Sequence, residues 1–317
     1  MLKRLLAALV TAAALGGPAL AQDQPLRIIL GFPPGAGADT LTRLVADKMR
    51  GPLGRPVVVE NRAGAGGILA NETVKGSRPD GNTVLMTPVA TMVAYPHSFS
   101  KLSYDPFTDF LPVAHVAAFH LALGVGAKVP AKTVAEYVAL VKKGGEYTNY
   151  ASASAGSLPH FFGVMFARAA GLEMTHVPYR GTAPVLQALV GGEIPAAMLV
   201  LADIGALAQA GQARVLAVSG ARRAPGAPDI PTFKEAGYDI EGMAWYAMFA
   251  PAGTPKDIVD RLSKAAIDAT LAADIKPRIE GMNLEPTGLG PAELARILKA
   301  DYDRWGPVIR ASGFKAD

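Results

Sequence analysis

The chain of 317 residues contains no cysteine and only two tryptophans, and its formal net charge is only +4. The absence of cysteine excludes disulfides, thiolate chemistry and lipid attachment to an N-terminal cysteine. No run of lysine and arginine indicates a nucleic-acid-binding face, so nucleic acid is not an expected partner. Beyond the first residues, no segment is apolar over the roughly 20 residues that a membrane-spanning helix requires.

The first residues have the three-part layout of a secretory signal peptide. Lys3 and Arg4 precede an apolar run over 5–15, and an A-x-A cleavage site follows at 19–21. Removal of Lys3 and Arg4 lowers the formal net charge from +4 to +2. We therefore expect a signal peptide at 1–21 and a freely soluble, exported mature chain that begins near Gln22.

Strand-like apolar segments alternate with helical patterns along most of the chain, which favours an α/β fold. The order strand, helix, strand in the first part predicts a parallel sheet with right-handed crossovers. The predicted strands lie at 26–32, 56–60, 83–86, 117–125, 148–151, 176–179, 196–201, 215–219 and 245–250. The predicted helices lie at 40–49, 133–142, 157–170, 184–190, 204–210, 255–271 and 291–305.

About 300 residues are more than one compact core usually holds. We therefore expect two lobes joined by two extended crossings, near 113–122 and near 238–246. The predicted boundaries are lobe 1 at 22–117, lobe 2 at 118–240, and a return to lobe 1 at 241–317. The C-terminal helices are expected to pack on the first lobe.

The loop after the first predicted strand is the most informative motif, Phe32-Pro33-Pro34-Gly35-Ala36-Gly37-Ala38-Asp39-Thr40. Glycines permit a tight turn and leave amide groups uncovered, and the positive end of the next helix favours an anion. Asp39 or Thr40 can also cap that helix, which is the alternative to a ligand-binding role for either side chain. The loop as a whole is the better ligand candidate, because ligands bind at the carboxyl ends of parallel strands.

The same loop imitates a dinucleotide-binding fingerprint, with Glu60 about 20 residues further on. Thr40 replaces the third glycine, and Asp39 would bring negative charge close to a pyrophosphate. A nicotinamide-dependent oxidoreductase is therefore an alternative of lower weight, and we expect no cofactor.

Catalytic and metal motifs are absent. Ser154 lacks the first glycine of a nucleophile elbow, and the five histidines have no metal-ligand spacing. His160, at the start of a helix, is expected to have a structural role. The sequence thus predicts neither an enzyme nor a metal site.

Two later loops precede helices and offer further donors to an anion. The first contains Ser154, Gly156 and Ser157, although Ser157 is also an ordinary helix cap. The second contains Arg180, which either pairs with a ligand carboxylate or lies solvated on the rim. The candidate ligand-binding residues are Phe32, Pro33, Gly35, Gly37, Asp39, Thr40, Thr87, Thr91, Ser154, Gly156, Ser157, Arg180 and Asp203.

Several short motifs in a fixed order resemble the Bug family, the periplasmic solute receptors of tripartite tricarboxylate transporters. The motifs are Phe32-Pro33-Pro34-Gly35, the segments 57–67, 79–81, 104–106 and 150–152, Gly156-Ser157-Leu158-Pro159-His160, and the segments 176–181, 251–255 and 304–306. The resemblance covers nearly all of the expected mature chain. Two departures stand out, Ala36 in the first loop and Leu199-Val200 in place of an Asp-Asn pair, with Asp203 further on.

This resemblance implies a two-lobed Venus-flytrap of the type II periplasmic binding protein class. It implies a small carboxylate held between the lobes by amides, hydroxyls and water, and delivery of that carboxylate to separate membrane permease subunits. The receptor would be periplasmic, and we expect it to be a monomer. A receptor that signals to a sensor kinase is an alternative that the sequence leaves open.

Overall fold

The computed structural model describes residues 24–35 and 37–316. The predicted signal peptide, its cleavage site and the departure at Ala36 lie outside the described residues. The described chain forms two sheets, one with six strands and one with five.

The six-stranded sheet is mixed, and we call it and its helices the first lobe. Its strands are β1 (Leu26–Leu30), β2 (Val57–Asn61), β3 (Thr83–Pro88), β4 (Phe110–Phe119), β10 (Ala244–Pro251) and β11 (Glu285–Leu289). Their order is β11-β4-β10-β3-β1-β2. The predicted parallel arrangement holds for β1, β2 and β3, whereas β10 is antiparallel to β3 and to β4.

The helices of the first lobe cover the apolar faces of this sheet. They are α1 (Gly37–Leu53), α2 (Ile68–Lys75), α3 (Tyr95–Ser98), α8 (Lys256–Leu271), α9 (Lys276–Glu280) and α10 (Pro291–Ser312). A short π-helix, Ala90–Ala94, connects β3 with α3. Leu41, Val45 and Met49 lie on one face of α1 and are fully buried, as their spacing predicts.

The second lobe contains the five-stranded sheet, in the order β7-β6-β8-β5-β9. Its strands are β5 (Leu121–Gly126), β6 (Asn149–Ser152), β7 (Thr175–Pro178), β8 (Ala196–Val200) and β9 (Ala213–Val218). Its helices are α4 (Val134–Lys142), α5 (Leu158–Ala170), α6 (Thr182–Gly191) and α7 (Leu201–Gln209). Thr133 caps α4 by accepting from the Glu136 amide, as predicted.

The prediction of one strand at 117–125 was wrong. Two strands occupy this stretch, because β4 ends at Phe119 in one sheet and β5 begins at Leu121 in the other. Hydrophobic pattern alone does not distinguish one long strand from two that change sheets at a single residue, because every position here is buried.

His120 lies at this change of sheets and joins three segments. Its carbonyl accepts from the Leu201 amide at 2.9 Å, and its Nδ1 accepts from the Gly220 amide at 3.2 Å. Its Nε2 lies 2.8 Å from Glu285 Oε1 in β11. The ring of one buried histidine thus connects the segments at the junction between the lobes through hydrogen bonds.

The last helix differs in part from its predicted position. α10 contacts β4, the π-helix and α3 of the first lobe, and it also contacts α5 of the second lobe. Phe314, just after α10, packs edge-on against His160 and Phe161, with centroids 5.4 and 5.7 Å apart respectively. The C-terminal segment therefore bridges both lobes. Among the described residues, no helix is both long and apolar enough to cross a membrane.

Candidate functional site

A cleft of about 350 Å³ lies between the two lobes. The first lobe supplies residues from the loop after β1, from the end of β3 and from α3, and the second lobe supplies the loop before α5. The lining residues are Phe32, Gly66, Pro88, Val89, Ala90, Tyr95, Ser98, Phe99, Phe119, Leu121, Ser154, Ala155, Gly156, Ser157, Leu158, Pro159, Val200, Ala244, Tyr246, Phe314 and Ala316. A ligand in this cleft would contact both lobes.

Asp39 organises the first loop from within. Its Oδ2 accepts hydrogen bonds from the Gly35 amide and from Arg43 Nε, each at 2.9 Å, and its Oδ1 accepts from Asn61 Nδ2 at 2.8 Å. The same Asn61 amide group donates to the Phe32 carbonyl at 2.9 Å. Burial opposes ionisation of Asp39, but these hydrogen bonds outweigh it and lower the pKa of the carboxyl.

The Gly35 amide, which the sequence offered as an anion donor, is therefore engaged inside the loop. Pro33, Gly35 and Gly37 are exposed, and none of the three is among the residues that line the cleft. Thr40 lies in a separate surface groove beside Arg43. The loop thus contributes Phe32 to the cleft, and the Asp39 network holds that residue in place.

Thr87 and Thr91 lie beneath the cleft wall. Their hydroxyl oxygens are 2.7 Å apart, and both side chains are buried. The Thr91 carbonyl accepts from the hydroxyl of the buried Tyr104 at 2.6 Å. These threonines support the backbone of Pro88, Val89 and Ala90, which does line the cleft.

The loop before α5 presents donors to the open cleft. Ser154 and Ala155 are exposed, and neither the Ser154 hydroxyl nor the amides of the two residues donate to any described protein group. Ser157 is different, because its hydroxyl donates to the Ser154 carbonyl at 2.8 Å and caps α5 by accepting from the His160 amide at 3.3 Å. The positive end of α5 adds a favourable potential for an anion here.

Gly156 lies behind this loop with a φ of +73°, which favours glycine. Its amide donates to His160 Nδ1 at 3.1 Å, and the Phe314 ring covers its α-carbon. The His160 ring stacks on His176, whose Nε2 lies 2.8 Å from Ser152 Oγ. His160 accordingly has the structural position that the sequence suggested.

Arg180 and Asp203 do not line the cleft. Arg180 is exposed, and no described side chain pairs with it. Asp203 lies at the start of α7, 3.4 Å from the Thr182 hydroxyl, and burial raises the pKa of its carboxyl. Its charge reaches Tyr246, whose pKa is raised to about 12, mainly by burial.

Four of the predicted site residues, Phe32, Ser154, Gly156 and Ser157, come together in the cleft. Sequence reasoning missed most of the apolar lining, including Tyr95, Phe99, Phe119 and Phe314. Tyr95 and Phe99 are four residues apart, and their rings pack at 5.1 Å, a spacing that offered a weak signal. Nothing local distinguishes Phe314, because its position depends on where α10 ends.

A second cavity of about 380 Å³ lies on the other face of β10, since Trp245 lines it whereas the next residue, Tyr246, lines the cleft. Most of its polar groups are paired with one another. Trp245 Nε1 donates to Asp301 at 2.8 Å, and Arg304 bonds Glu241 at 3.1 Å. In residues 24–35 and 37–316, no group of His, Asp and Glu is arranged to hold a metal ion.

Comparison with known proteins agrees with this geometry. The sequence profile of the family described as "Tripartite tricarboxylate transporter family receptor" matches residues 41–314. The chain belongs to this family. Its members are solute-binding receptors rather than enzymes, and the predicted resemblance is thereby confirmed.

Individual proteins support the assignment. An Agrobacterium vitis protein named for the TAR-I ttuE-ttuC' intergenic region is 34% identical over 99% of this chain and 92% of its own length. The periplasmic binding protein BugD is 29% identical, with a TM-score of 0.76 over 92% of this chain and 98% of that one.

MatC from Rhodopseudomonas palustris, solved with bound malate, is 31% identical, with a TM-score of 0.76 over 92% of this chain and 100% of that one. The predicted two-lobed binding-protein fold is confirmed by these likenesses. The receptor's cleft between the lobes is therefore the candidate ligand site.

Proposed function

We propose that this protein is a periplasmic receptor that captures a small carboxylate in the cleft and delivers it, chemically unchanged, to the membrane permease subunits of a tripartite tricarboxylate transporter. The observation that carries the proposal is the set of free donors at Ser154 and Ala155 in a cleft that both lobes line. A carboxylate accepts strongly from amides and hydroxyls, and cleft closure would exclude bulk water.

Among the described residues, no nucleophile–base pair or metal cluster lies in the cleft to act on the ligand. Ser154 has no histidine partner, and His160 and His176 are held in structural hydrogen bonds. The malate bound to MatC and the secretory pattern at the start of this chain support capture of a carboxylate in the periplasm. We further propose that the ligand contacts Phe32, Ser154, Gly156 and Ser157, and that the receptor acts as a monomer.

The test is a thermal-shift screen of the purified protein against a carboxylate library, followed by calorimetric titration. A ligand that binds only the folded form raises the melting temperature. Mass spectrometry of the recovered ligand should show the added acid unaltered. Failure of every carboxylate to shift the melting temperature, or turnover of a bound one, would refute the proposal.

Two serine variants localise the carboxylate. Ser154→Ala removes a hydroxyl that has no partner among the described residues, so it should weaken binding by about 0.5–3 kcal/mol and leave stability unchanged. Ser157→Ala is the comparison, because the Ser157 hydroxyl already donates to the Ser154 carbonyl and caps α5; its loss should lower the free energy of unfolding by about 1 kcal/mol and weaken binding less than Ser154→Ala does. Equal effects of both variants on affinity and stability would place the carboxylate elsewhere.

Export has its own test. Periplasmic extracts should contain the protein with a mature N-terminus at or near Gln22. Recovery of only an uncleaved chain from the cytoplasm would show that the secretory interpretation of the first residues is wrong.

A further inference from the structure

The cavity on the other face of β10 contains a polar atom that has no protein partner among the described residues. His115 lines this cavity of about 380 Å³ and is only 3% exposed. Its Nδ1 lies 2.6 Å from Thr287 Oγ1, but no described group donates to its Nε2. Trp305 Nε1 is the only described side-chain polar atom that is sealed in the protein without a partner. His115 Nε2 is therefore open to the cavity.

The hydrogen bonds of His115 determine which of its nitrogens carries the proton. The Thr287 hydroxyl donates to the His115 carbonyl at 3.0 Å, so the hydroxyl oxygen accepts from His115 Nδ1. The proton of the neutral ring thus lies on Nδ1, and Nε2 keeps a lone pair. Burial lowers the pKa of His115 to about 4, so the ring stays neutral near pH 7. The cavity therefore presents a fixed acceptor that requires an N–H or O–H donor.

The charged groups around the cavity are already paired with one another. Arg304 bonds Glu241 at 3.1 Å and lies 3.5 Å from Asp301, and Arg222 lies 3.4 Å from Glu285. A ligand carboxylate would meet these three carboxylates, and a ligand ammonium group would meet the two guanidinium groups. An uncharged ligand avoids both kinds of repulsion.

The remaining wall of the cavity is mostly apolar. Its apolar side chains come from β4, β10, β11, α10 and the crossing before β10, and they are Ala118, Met243, Trp245, Leu289 and Ile297. Apolar walls with a few placed polar groups are typical of small-molecule sites. The volume lies near the lower end of the range for such sites and suits a ligand body of about one ring.

We infer that this cavity is a second binding site, separate from the cleft, for a small uncharged molecule with an apolar body of about one ring and an O–H or N–H group that donates to His115 Nε2. The cavity and the cleft lie on opposite faces of β10, because Trp245 lines the first and Tyr246 the second. This site does not depend on carboxylate capture in the cleft.

Calorimetric titration with phenol as the probe tests the inference. Anisole is the matched probe, because it keeps the ring and replaces the hydroxyl proton with a methyl group. Phenol should bind about 2- to 10-fold more tightly than anisole, which corresponds to one hydrogen bond. Absence of phenol binding, or equal binding of anisole, would overturn the inference.

A variant that fills the cleft shows which of the two sites binds phenol. Ala155→Trp places a large side chain in the cleft, because Ala155 is exposed on the loop that lines it. Phenol should keep its affinity for this protein, and benzoate should bind at least about 10-fold more weakly than phenol. Loss of phenol binding would place the phenol in the cleft, and benzoate binding as tight as that of phenol would contradict an uncharged ligand.

Two substitutions of His115 separate its hydrogen-bonding roles. His115→Asn keeps a donor near the position of Nδ1, where Thr287 accepts, but removes the acceptor at Nε2. It should therefore abolish the preference for phenol over anisole. His115→Gln places an amide oxygen near the position of Nε2 and should retain that preference. An unchanged preference in a folded His115→Asn protein would overturn the inference.

A cavity-filling variant tests the site without changing a hydrogen bond. Ala118→Leu extends an apolar side chain from β4 into the cavity and should weaken phenol and anisole binding alike by about 10-fold or more. Melting curves of all the variants establish that they are folded. Unaltered phenol binding by folded Ala118→Leu would show that the ligand does not occupy this cavity.

Discussion

The rings of His160 and His176 stack with their centroids 3.9 Å apart and their planes 20° from parallel. The Gly156 amide donates to His160 Nδ1, so the proton of that ring is on Nε2. Burial lowers the pKa of His160 to about 4 and, together with repulsion from His160, lowers that of His176 to about 3. The stack that supports the candidate ligand loop is therefore built from uncharged rings.

This stack makes stability fall at acid pH. Above the unfolded-state pKa of 6.5 the rings are uncharged in both states, so neither contributes to pH dependence. Between about pH 6.5 and 4, both rings are protonated in the unfolded chain but stay neutral in the folded protein. Each ring should therefore lower the free energy of unfolding by about 1–2 kcal/mol near pH 5. Urea unfolding across this pH range measures the loss of stability. His176→Gln should reduce the slope of the free energy of unfolding against pH. An unchanged slope in a folded His176→Gln protein would mean that this ring titrates normally.

Gly156 is expected to be intolerant of any side chain. A Cβ there would lie 2.7 Å from the Phe314 ring, and the positive φ adds strain. Gly156→Ala should therefore lower the free energy of unfolding by about 1–3 kcal/mol and weaken ligand binding. Gly171→Ala is the matched control, since it has a φ of +62° but nothing within 4 Å, and should show only the backbone cost of about 1 kcal/mol. Phe314→Ala should partly rescue Gly156→Ala; the absence of rescue would mean that the ring is not the obstacle.

Asp39, buried in the first turn of α1, should contribute to stability by holding the exposed loop that precedes this helix. Asp39→Ala removes the acceptor of the Gly35 amide and one of the two acceptors of Asn61 Nδ2, and it should lower the free energy of unfolding by about 1–3 kcal/mol. Because the folded-state pKa of Asp39 is lowered, its stabilisation is present above the ordinary carboxyl pKa and is lost as the pH falls through the folded value. Asp47→Ala, on the exposed face of α1, should change stability by less than about 0.5 kcal/mol. Equal effects of the two changes in chemical unfolding would refute the network.

The junction between the lobes should depend on close contact between Gly220 and His120. A Cβ at Gly220 would lie 2.8 Å from His120 Nδ1, which accepts from the Gly220 amide. Gly220→Ala should therefore lower the free energy of unfolding by about 1–3 kcal/mol. Gly205→Ala, inside α7 with open space around it, should instead stabilise by about 0.5–1 kcal/mol. Thermal melts of both proteins measure these effects. An unchanged melting temperature in Gly220→Ala would show that the junction tolerates a shift of His120.

Much of the fold was predictable because it depends on local pattern. The apolar run of β1, the periodic face of α1 and the Thr133 cap of α4 each follow from neighbouring residues. Sequence order of the short motifs was also sufficient to identify the receptor family. The sequence predicts a crossing near 113–122 but not the division of 117–125 into two strands at His120, because the buried strands on both sides have the same apolar character.

The candidate site likewise has features that the sequence predicts and features that depend on the tertiary structure. The sequence by itself determined which loops precede helices and where glycines and hydroxyls lie, and these features predict Phe32, Ser154, Gly156 and Ser157 as candidate ligand-binding residues. Only the tertiary structure decided which donors are free: Asp39 takes the Gly35 amide and His160 takes the Gly156 amide, whereas Ser154 and Ala155 keep theirs. It also brought Phe314 against Gly156, because the end of α10 lies beside α5. Hydrogen bonds and ring contacts of this kind depend on distances between segments far apart in the chain, and no local pattern encodes those distances.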